Sequence, residues 1–362
     1  MSEFLNALKD ETNYTLTENG ATTHKTTKSD LYDMFSLGGA MRSRPDEDVI
    51  LMFRKAFAEN PVYALKCLFY LRDARGGQGE RRFFKVCIKD LANTNPDVMK
   101  RNLEYVPEFG RWDDLYAFFG TKLEKDAFDV FRNQLALDLD SKTPSLLAKW
   151  LKSENASSRE AKYLGNKTRL YLNMTHRQYR KTLSILRERI NIVERLMSEN
   201  KWDEIEFDKI PSKAGLIYKN AFARRDIIKK KYEAFAKDEA TTVNAKALYP
   251  YEVVHQACNL MEEGWHYRSR NVALDDTNRL MINKYWDNLA DYINGAVFNG
   301  MAVVDTSASM TSSCGSATPL DVAISLGLYC AEKAPGPFAG HYISFSSRPQ
   351  LIETKGVDFC DK

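Results

Sequence analysis

The sequence predicts a mainly α protein in which a long array of helix pairs precedes a short α/β domain. From Asp46 onward, apolar residues recur at helical spacings, as at Val49, Phe53 and Ala56. This pattern continues for about 250 residues without the alternation expected of strands. Only after Phe298 does an apolar run of strand type appear, followed by a polar loop and another helical segment.

Length and composition are typical of a soluble globular protein with two or three domains. The chain has 362 residues, of which 44% are hydrophobic and 28% charged, and its formal net charge is +3. Positive charge is concentrated between Lys162 and Lys231, where 18 Lys and Arg residues accompany 8 Asp and Glu residues. This uneven distribution indicates a polyanionic partner.

The sequence also argues against a membrane protein and against a protein that binds a metal through cysteines. It contains no run of about 18 apolar residues, and its N-terminus lacks the basic and apolar segments of a signal peptide. The six cysteines are scattered without CxxC spacing, and the five histidines are equally dispersed. We therefore expect reduced thiols, no zinc site, no membrane association and a cytoplasmic location.

Three segments follow from these patterns. Residues 1–34 are predicted to be a flexible N-terminal arm, because they are polar and rich in threonine. Residues 35–295 are predicted to be an α-helical repeat domain, and the succession of helix pairs is typical of a HEAT-like solenoid or ring, although no strict repeat is present. Residues 296–362 are predicted to be part of a doubly wound α/β domain.

Several polar stretches between helices are interpreted as connections. Arg75–Arg82 is a Gly-rich turn without the Gly-Lys-Ser/Thr of a phosphate loop, so a helix connection is favoured over a ligand loop. Its arginines remain candidate polyanion contacts. Asp113 and Asp114 are expected to cap a helix N-terminus rather than to act in catalysis. Gly264–Asp276 is predicted to be a loop.

The clearest helix predicted from the sequence is Thr175–Met197. Its apolar side consists of Tyr179, Leu183, Leu186, Ile190, Val193 and Leu196–Met197. Its opposite side carries Arg177, Arg180, Lys181, Arg187, Arg189 and Arg195. A solvated basic face and a polyanion-binding surface both fit this pattern, and the nearby basic run Ala221–Lys231 favours the second.

We accordingly predict a set of RNA-binding residues from charge clustering alone. The set consists of Lys167, Arg169, His176, Arg177, Arg180, Lys181, Arg224, Arg225 and Lys229. Tyr171 and Tyr179 are candidates for stacking on unpaired bases, although Tyr179 falls on the apolar side of its helix.

A second candidate site follows the strand-like run 298–304. Asp305, Ser307 and Ser309 supply one carboxylate and two hydroxyls at alternate positions, and Thr318-Pro319 then begins a helix. Oxygen donors of this kind suit a hard divalent cation such as Mg²⁺. The alternative interpretation is a loop that only caps the following helix.

This stretch resembles the metal-ion-dependent adhesion site of von Willebrand factor A domains. The resemblance implies a metal that captures a carboxylate or phosphate of a partner. It also implies a threonine and an aspartate from later loops, which would lie beyond Lys362. We therefore expect a truncated domain of this type, either because the chain is a fragment or because a separate chain supplies the missing strands. We also expect weak binding of Mg²⁺ or another divalent cation.

The combination of a helical array with such a sheet domain resembles the TROVE proteins, the family of the Ro autoantigen. A closer resemblance is to a TROVE-like domain-of-unknown-function family of plants and phages, which spans about residues 40–362. The segments that carry it are Ala74–Phe84, Gly110–Leu115, Leu147–Trp150, Tyr179–Lys181 and Tyr249–Glu252. The Ro resemblance implies binding of small structured RNAs by a ring of HEAT-like helices.

Two functions of different classes follow from these expectations. The first is a non-enzymatic RNA-binding protein, a ribonucleoprotein component that binds small non-coding RNA. The alternative is a protein-interaction scaffold, associated with a phage assembly, that uses the adhesion-site metal. Catalysis is disfavoured, because the sequence contains no Walker lysine, HExxH motif or dinucleotide fingerprint.

Overall fold

The computed structural model describes residues 3, 12–16, 20–190, 192–268, 276–293, 300–312 and 317–362. Helices account for 61% of the residues and strands for 6%, which confirms the mainly α class. The chain divides into two compact units, Met1–Arg195 and Leu196–Lys362. Within the described ranges, no helix combines the length and apolar character needed to span a bilayer.

The first unit is built almost entirely from helices. A short hairpin, β1 (Tyr14–Leu16) with β2 (Thr22–His24), precedes them and pairs in antiparallel register. The helices are α1 (Asp30–Leu37), α2 (Asp46–Glu59), α3 (Pro61–Arg72), α4 (Arg82–Thr94), α5 (Pro96–Lys100), α6 (Tyr105–Phe109), α7 (Glu124–Asp140), α8 (Leu147–Trp150), α9 (Arg159–Tyr171) and α10 (His176–Ile190). A further helix, α11 (Val193–Ser198), begins at the end of this unit. A 3₁₀ turn, Trp112–Phe118, separates α6 from α7.

Local sequence determines where several of these helices begin. The Asn60 side chain accepts a hydrogen bond from the Tyr63 amide, and Pro61 occupies the first turn of α3. Ser158 caps α9 in the same way, through the Ala161 amide. Each cap satisfies an amide that has no carbonyl partner within its own helix.

The core of the first unit is predominantly aliphatic and aromatic. On α4, Phe83, Phe84, Cys87, Ile88 and Leu91 are all at most 1% exposed, which is the stripe that their three- and four-residue spacing predicts. A second aromatic group on α7 and the neighbouring helices consists of Phe119, Phe128, Phe131 and Tyr171. Burial of these side chains stabilises the unit and fixes the orientation of the loops between its helices.

The second unit combines helices with a small mixed sheet. Its helices in the described ranges are α12 (Ser212–Arg224), α13 (Asp226–Lys237), α14 (Pro250–Arg268), α15 (Asp276–Asp287) and α16 (Pro319–Lys333). Its strands are β3 (Val303–Asp305), β4 (His341–Phe345) and β5 (Gln350–Glu353), in the order β3-β4-β5. β3 and β4 are parallel, whereas β4 and β5 are antiparallel.

Helix α16 connects the two parallel strands and packs on the sheet. The Thr318 hydroxyl accepts a hydrogen bond from the Asp321 amide, and the Asp321 carboxylate accepts one from the Thr318 amide. Gly327 lies against Val304, and a β-carbon at position 327 would overlap the valine methyl group. A strand, a capped helix and a parallel strand therefore follow one another, and β3 begins at Val303, within the strand-like run 298–304.

Two helix boundaries differ from the predictions. The predicted helix Thr175–Met197 is divided into α10, which ends at Ile190, and α11, which begins at Val193. The sequence Ile-Asn-Ile-Val at 190–193 contains three β-branched residues and an asparagine, all of low helix propensity. The predicted loop Gly264–Asp276 is partly wrong, since α14 continues to Arg268; residues 269–275 lie outside the described ranges.

Candidate functional site

The outward face of α10 carries exposed basic side chains. Arg177, Arg180 and Lys181 are exposed, whereas Tyr179 and Leu183 on the other side of the helix are buried. In the described part of the chain, none of the three cations makes a hydrogen bond or ion pair. Their charges are therefore directed to solvent and are accessible to a polyanion.

The other predicted cations of the first unit are paired with carboxylates. Lys167 Nζ lies 2.6 Å from a Glu124 oxygen. Arg169 Nε and His176 Nδ1 both contact Glu154 Oε1, at 2.8 and 2.7 Å. Because these pairs neutralise much of the local charge, Lys167, Arg169 and His176 are weaker candidates for phosphate contact than the α10 side chains.

The structure shows how two tyrosines and Arg187 of this region are used. Tyr179 is fully buried and donates its hydroxyl proton to the Lys152 carbonyl at 2.8 Å, and Tyr171 stacks on Phe128 with ring centroids 3.9 Å apart. The burial of Tyr179 agrees with its place on the apolar side of the helix and leaves its ring no face for a base, whereas Tyr171 is partly buried and uses one ring face in packing. Arg187 was expected on the basic face, but it turns inward and donates to the carbonyls of Ala148 and Leu151.

The remaining predicted RNA-binding residues lie in the second unit. Arg224, Arg225 and Lys229 are exposed. Arg225 lies over the ring of Trp202, with 4.9 Å from the guanidinium carbon to the centroid, and Lys229 is 3.9 Å from Glu233. The predicted RNA-binding residues thus form two groups, one in each compact unit.

The Asp305 loop forms at the carboxyl end of β3, immediately before a short 3₁₀ turn, Ala308–Thr311. The Ser307 amide donates to Asp305 Oδ1 at 2.9 Å, and the hydroxyls of Ser307 and Ser309 are 3.2 Å apart. Hydrogen bonds from Ser307 hold the pKa of Asp305 below its ordinary value, so this carboxylate is ionised at neutral pH. The loop therefore brings one anionic and two neutral oxygen donors together.

These donors fit a hard cation, but they constitute only part of a complete coordination shell. Mg²⁺ prefers six oxygen ligands and keeps several waters when a protein supplies few. Across the described ranges, no cluster of three or more His, Cys, Asp and Glu residues suits a metal. The Asp305 loop differs in kind from such clusters, since two of its three donors are hydroxyls.

Sequence reasoning missed a buried charged cluster in the first unit. Arg72, only 1% exposed, donates from Nε to Asp114 Oδ2 at 2.7 Å. Asp114 is fully buried, lies 3.3 Å from Lys85 Nζ through its other oxygen and accepts a hydrogen bond from the Arg111 amide. The capping role expected of Asp114 is therefore combined with a buried ion pair.

The same cluster continues to Asp113 and Trp150. Arg111 pairs with Asp113 at 2.9 Å and lies over the Trp150 ring, with 4.1 Å from guanidinium carbon to centroid. Lys152 Nζ is 3.9 Å from Asp113 Oδ2, the oxygen that also accepts the hydrogen bond from Arg111 Nη2. Arg81 lies one helical turn before Lys85, at the start of α4. We call Arg72, Arg81, Lys85, Arg111, Lys152, Asp113 and Asp114 the Arg111 cluster.

A signal for this cluster was present in the sequence. Three of the segments that carry the family resemblance, Ala74–Phe84, Gly110–Leu115 and Leu147–Trp150, contribute to it or adjoin it. Each segment was interpreted separately as a turn, a cap or a short helix. Their shared location emerges only from the tertiary structure.

The fold and these sites define a mainly α protein with an exposed basic helix face and an Asp-x-Ser-x-Ser loop beside a parallel strand pair. The chain belongs to the family described as domain of unknown function (DUF2828), which it matches over residues 17–143 and 136–296. Residues 299–362 match a second domain of unknown function (DUF7788).

A viral relative extends over nearly the whole chain. It is the "Uncharacterized protein L728" of Acanthamoeba polyphaga mimivirus, which is 31% identical over 396 residues. The match covers 97% of this chain but 65% of the viral protein, so the chain spans less than two thirds of that relative. No solved structure matches the chain significantly.

Proposed function

We propose that the protein binds small structured or single-stranded RNA without catalysing a reaction, in the manner of the Ro autoantigen family. The observation that carries this proposal is the exposed, unpaired set Arg177, Arg180 and Lys181 on α10. A helix whose apolar face is buried and whose outward face is basic is suited to contact with a phosphate backbone. The proposal assigns no catalytic residue and places the protein in the cytoplasm.

The distribution of charge across the sequence supports a polyanion as the ligand. The excess of basic residues between Lys162 and Lys231 includes α10 and the exposed residues Arg224, Arg225 and Lys229. Exposed cations attract a polyanion over several ångströms, and the counterions displaced from its phosphates favour binding. The helix array and its predicted HEAT-like ring would supply this surface.

Replacing the α10 cations tests the proposal directly. In the triple variant Arg177→Gln, Arg180→Gln, Lys181→Gln, we expect weaker binding of structured RNA whatever its sequence. The slope of log affinity against log salt should fall by about 2–3, because roughly one counterion is released per phosphate contact. Filter binding at several salt concentrations measures both quantities, with duplex DNA of equal length as a second ligand.

A matched control distinguishes the effect of the α10 surface from the effect of a lower net charge. The triple variant Lys89→Gln, Arg101→Gln, Lys125→Gln removes three exposed cations of the same unit that also make no ion pair in the described part of the chain. It should leave the salt slope close to that of the wild type. An equal loss of RNA affinity in the two triple variants would overturn the proposal. So would the absence of RNA binding by the wild type at low salt.

The geometry of the Asp305 loop favours a second candidate function, a metal-dependent protein-interaction scaffold. The order of a parallel strand pair, its connecting helix and an antiparallel strand agrees with the resemblance to von Willebrand factor A domains. Asp305, Ser307 and Ser309 would hold Mg²⁺ there. The metal would provide a Lewis-acidic position for a partner carboxylate.

Metal binding by this loop can be measured with Mn²⁺ in place of Mg²⁺. We expect weak binding by the wild type and none by Asp305→Asn, because the variant loses the one anionic ligand. Electron paramagnetic resonance of free Mn²⁺ measures the bound fraction. Ser312→Ala removes an exposed hydroxyl beyond the motif and should bind as the wild type does; if Asp305→Asn also binds normally, the site is not a metal site.

A further inference from the structure

The Arg111 cluster contains more positive than negative side chains. Arg72, Lys85, Arg111 and Lys152 surround Asp113 and Asp114, and each carboxylate is contacted by two of these cations. Arg81 belongs to the same cluster but has no carboxylate partner in the described part of the chain. The carboxylates therefore neutralise only part of the charge.

Backbone geometry places Arg81 beside the buried pair. The amide of Glu80 donates to the Leu71 carbonyl at 2.7 Å, so the turn folds back onto the end of α3 next to Arg72. Arg81 and Lys85 are four residues apart at the start of α4 and share one side of that helix. Desolvation and the positive charges of Arg111 and Arg72 lower the pKa of Arg81, which is consistent with this proximity.

The cations that reach the surface are already held in position. The Arg111 side chain is 22% exposed and is fixed by Asp113 on one side and by Trp150 on the other. Lys85 and Lys152 are 36% and 32% exposed and are held near Asp114 and Asp113. Arg81 is exposed and unpaired. The positive side chains of the cluster outnumber its two carboxylates, so like charges remain close together and repel one another, and an anion bound between them relieves this cost.

We propose that Arg81, Arg111, Lys85 and Lys152 form a binding site for a phosphate group. Guanidinium groups present paired N–H donors that match phosphate oxygens, and lysines add point charges. Arg72 and Asp114 lie beneath and orient the site without reaching the ligand. The ligand class is a phosphomonoester, whether on a small molecule or at the end of a nucleic acid.

Inorganic phosphate is the probe for this proposal, because it requires no assumption about RNA binding. We expect phosphate to raise the melting temperature of the full chain in a saturable manner, beyond the effect of sodium chloride at equal ionic strength. Arg81→Gln should weaken phosphate binding about tenfold or more, as expected for loss of a charge-assisted hydrogen bond. Arg81 has no protein partner to lose, so the variant should fold normally.

The matched control is Arg101→Gln, which removes an exposed and unpaired arginine of the same unit outside the cluster. It should bind phosphate as the wild type does, whereas Lys85→Gln should bind more weakly. Equal phosphate affinity in Arg81→Gln, Arg101→Gln and wild type would overturn the proposal. So would the absence of any phosphate effect beyond that of ionic strength.

Two oligonucleotides of one sequence, with a 5′-phosphate or a 5′-hydroxyl, distinguish the sources of the phosphate. A preference for the 5′-phosphate that disappears in Arg81→Gln assigns the site to a nucleic-acid end. Equal binding of both, together with saturable phosphate binding, assigns it to a small phosphorylated ligand. The α10 triple variant should retain phosphate binding in either case, so failure of the RNA proposal remains distinguishable.

Discussion

Arg72→Met should lower the free energy of unfolding of the first unit by about 3–5 kcal/mol. The substitution keeps the unbranched shape and most of the volume of the side chain but removes the charged guanidinium group. Asp114, which is fully buried, would lose its closest cation and keep only Lys85 at 3.3 Å and the Arg111 amide. An ionised carboxylate with too few partners in a buried site is strongly destabilising.

Hydrogen–deuterium exchange of peptides from α3 and α4 in the full chain, at increasing urea, measures this loss where it occurs. The control is Arg54→Met, which removes an ion pair of similar geometry with Asp90 at the surface, where the arginine side chain is 55% exposed. Solvent screening should limit its cost to within about 1 kcal/mol. Similar losses in the two variants would show that burial of the Arg72 pair has no special effect.

The double variant Arg72→Met, Asp114→Leu tests the origin of the loss. Removing the carboxylate as well as the guanidinium eliminates the uncompensated charge, so part of the stability should return. Recovery should be incomplete, because Asp114 also accepts the Arg111 amide at 3.0 Å and thereby holds the start of the 3₁₀ turn. A double variant less stable than Arg72→Met would contradict this account.

Local patterns in the sequence were sufficient to predict several elements. Apolar spacing identified the buried face of α10, where Tyr179, Leu183 and Leu186 are buried. Thr318-Pro319 marked the start of α16, where the reciprocal cap with Asp321 forms within four residues. The strand, loop and helix around Asp305 were also predicted in order. In each case the interactions that decide the structure lie within a few residues of one another.

Interactions between distant residues could not be predicted in this way. Arg72 and Asp114 are 42 positions apart, and nothing near either residue indicates the other. Arg187 shows the same limit: helical periodicity placed it on the basic face, but carbonyls 36 and 39 positions away bind its guanidinium. Charge counts therefore overestimated the accessible basic surface, because they do not distinguish solvated cations from those used in folding.

Gly110→Ala should destabilise the first unit by about 3 kcal/mol or more, because the new methyl group has no space. A β-carbon at position 110 would overlap the Asp114 carboxylate and lie only 2.9 Å from the Val106 carbonyl oxygen and 3.0 Å from Arg72 Nε. The carboxylate and the arginine cannot move apart without weakening their buried hydrogen bond. A single methyl group thus acts on the same ion pair as Arg72→Met.

The matched substitution is Gly76→Ala in the Gly-rich turn. Its β-carbon would lie 3.4 Å from a carboxylate oxygen of Asp73, an ordinary contact, so the cost should stay within about 1 kcal/mol. Hydrogen–deuterium exchange of peptides from α3 and α4, at increasing urea, measures the stability of both variants and of the wild type. If Gly110→Ala is no more costly than Gly76→Ala, the Arg72–Asp114 pair tolerates displacement and does not hold the Arg111 cluster in place. A large and selective loss at Gly110 means that this glycine is required for the close approach of α6, the 3₁₀ turn and α3 on which the proposed phosphate site rests.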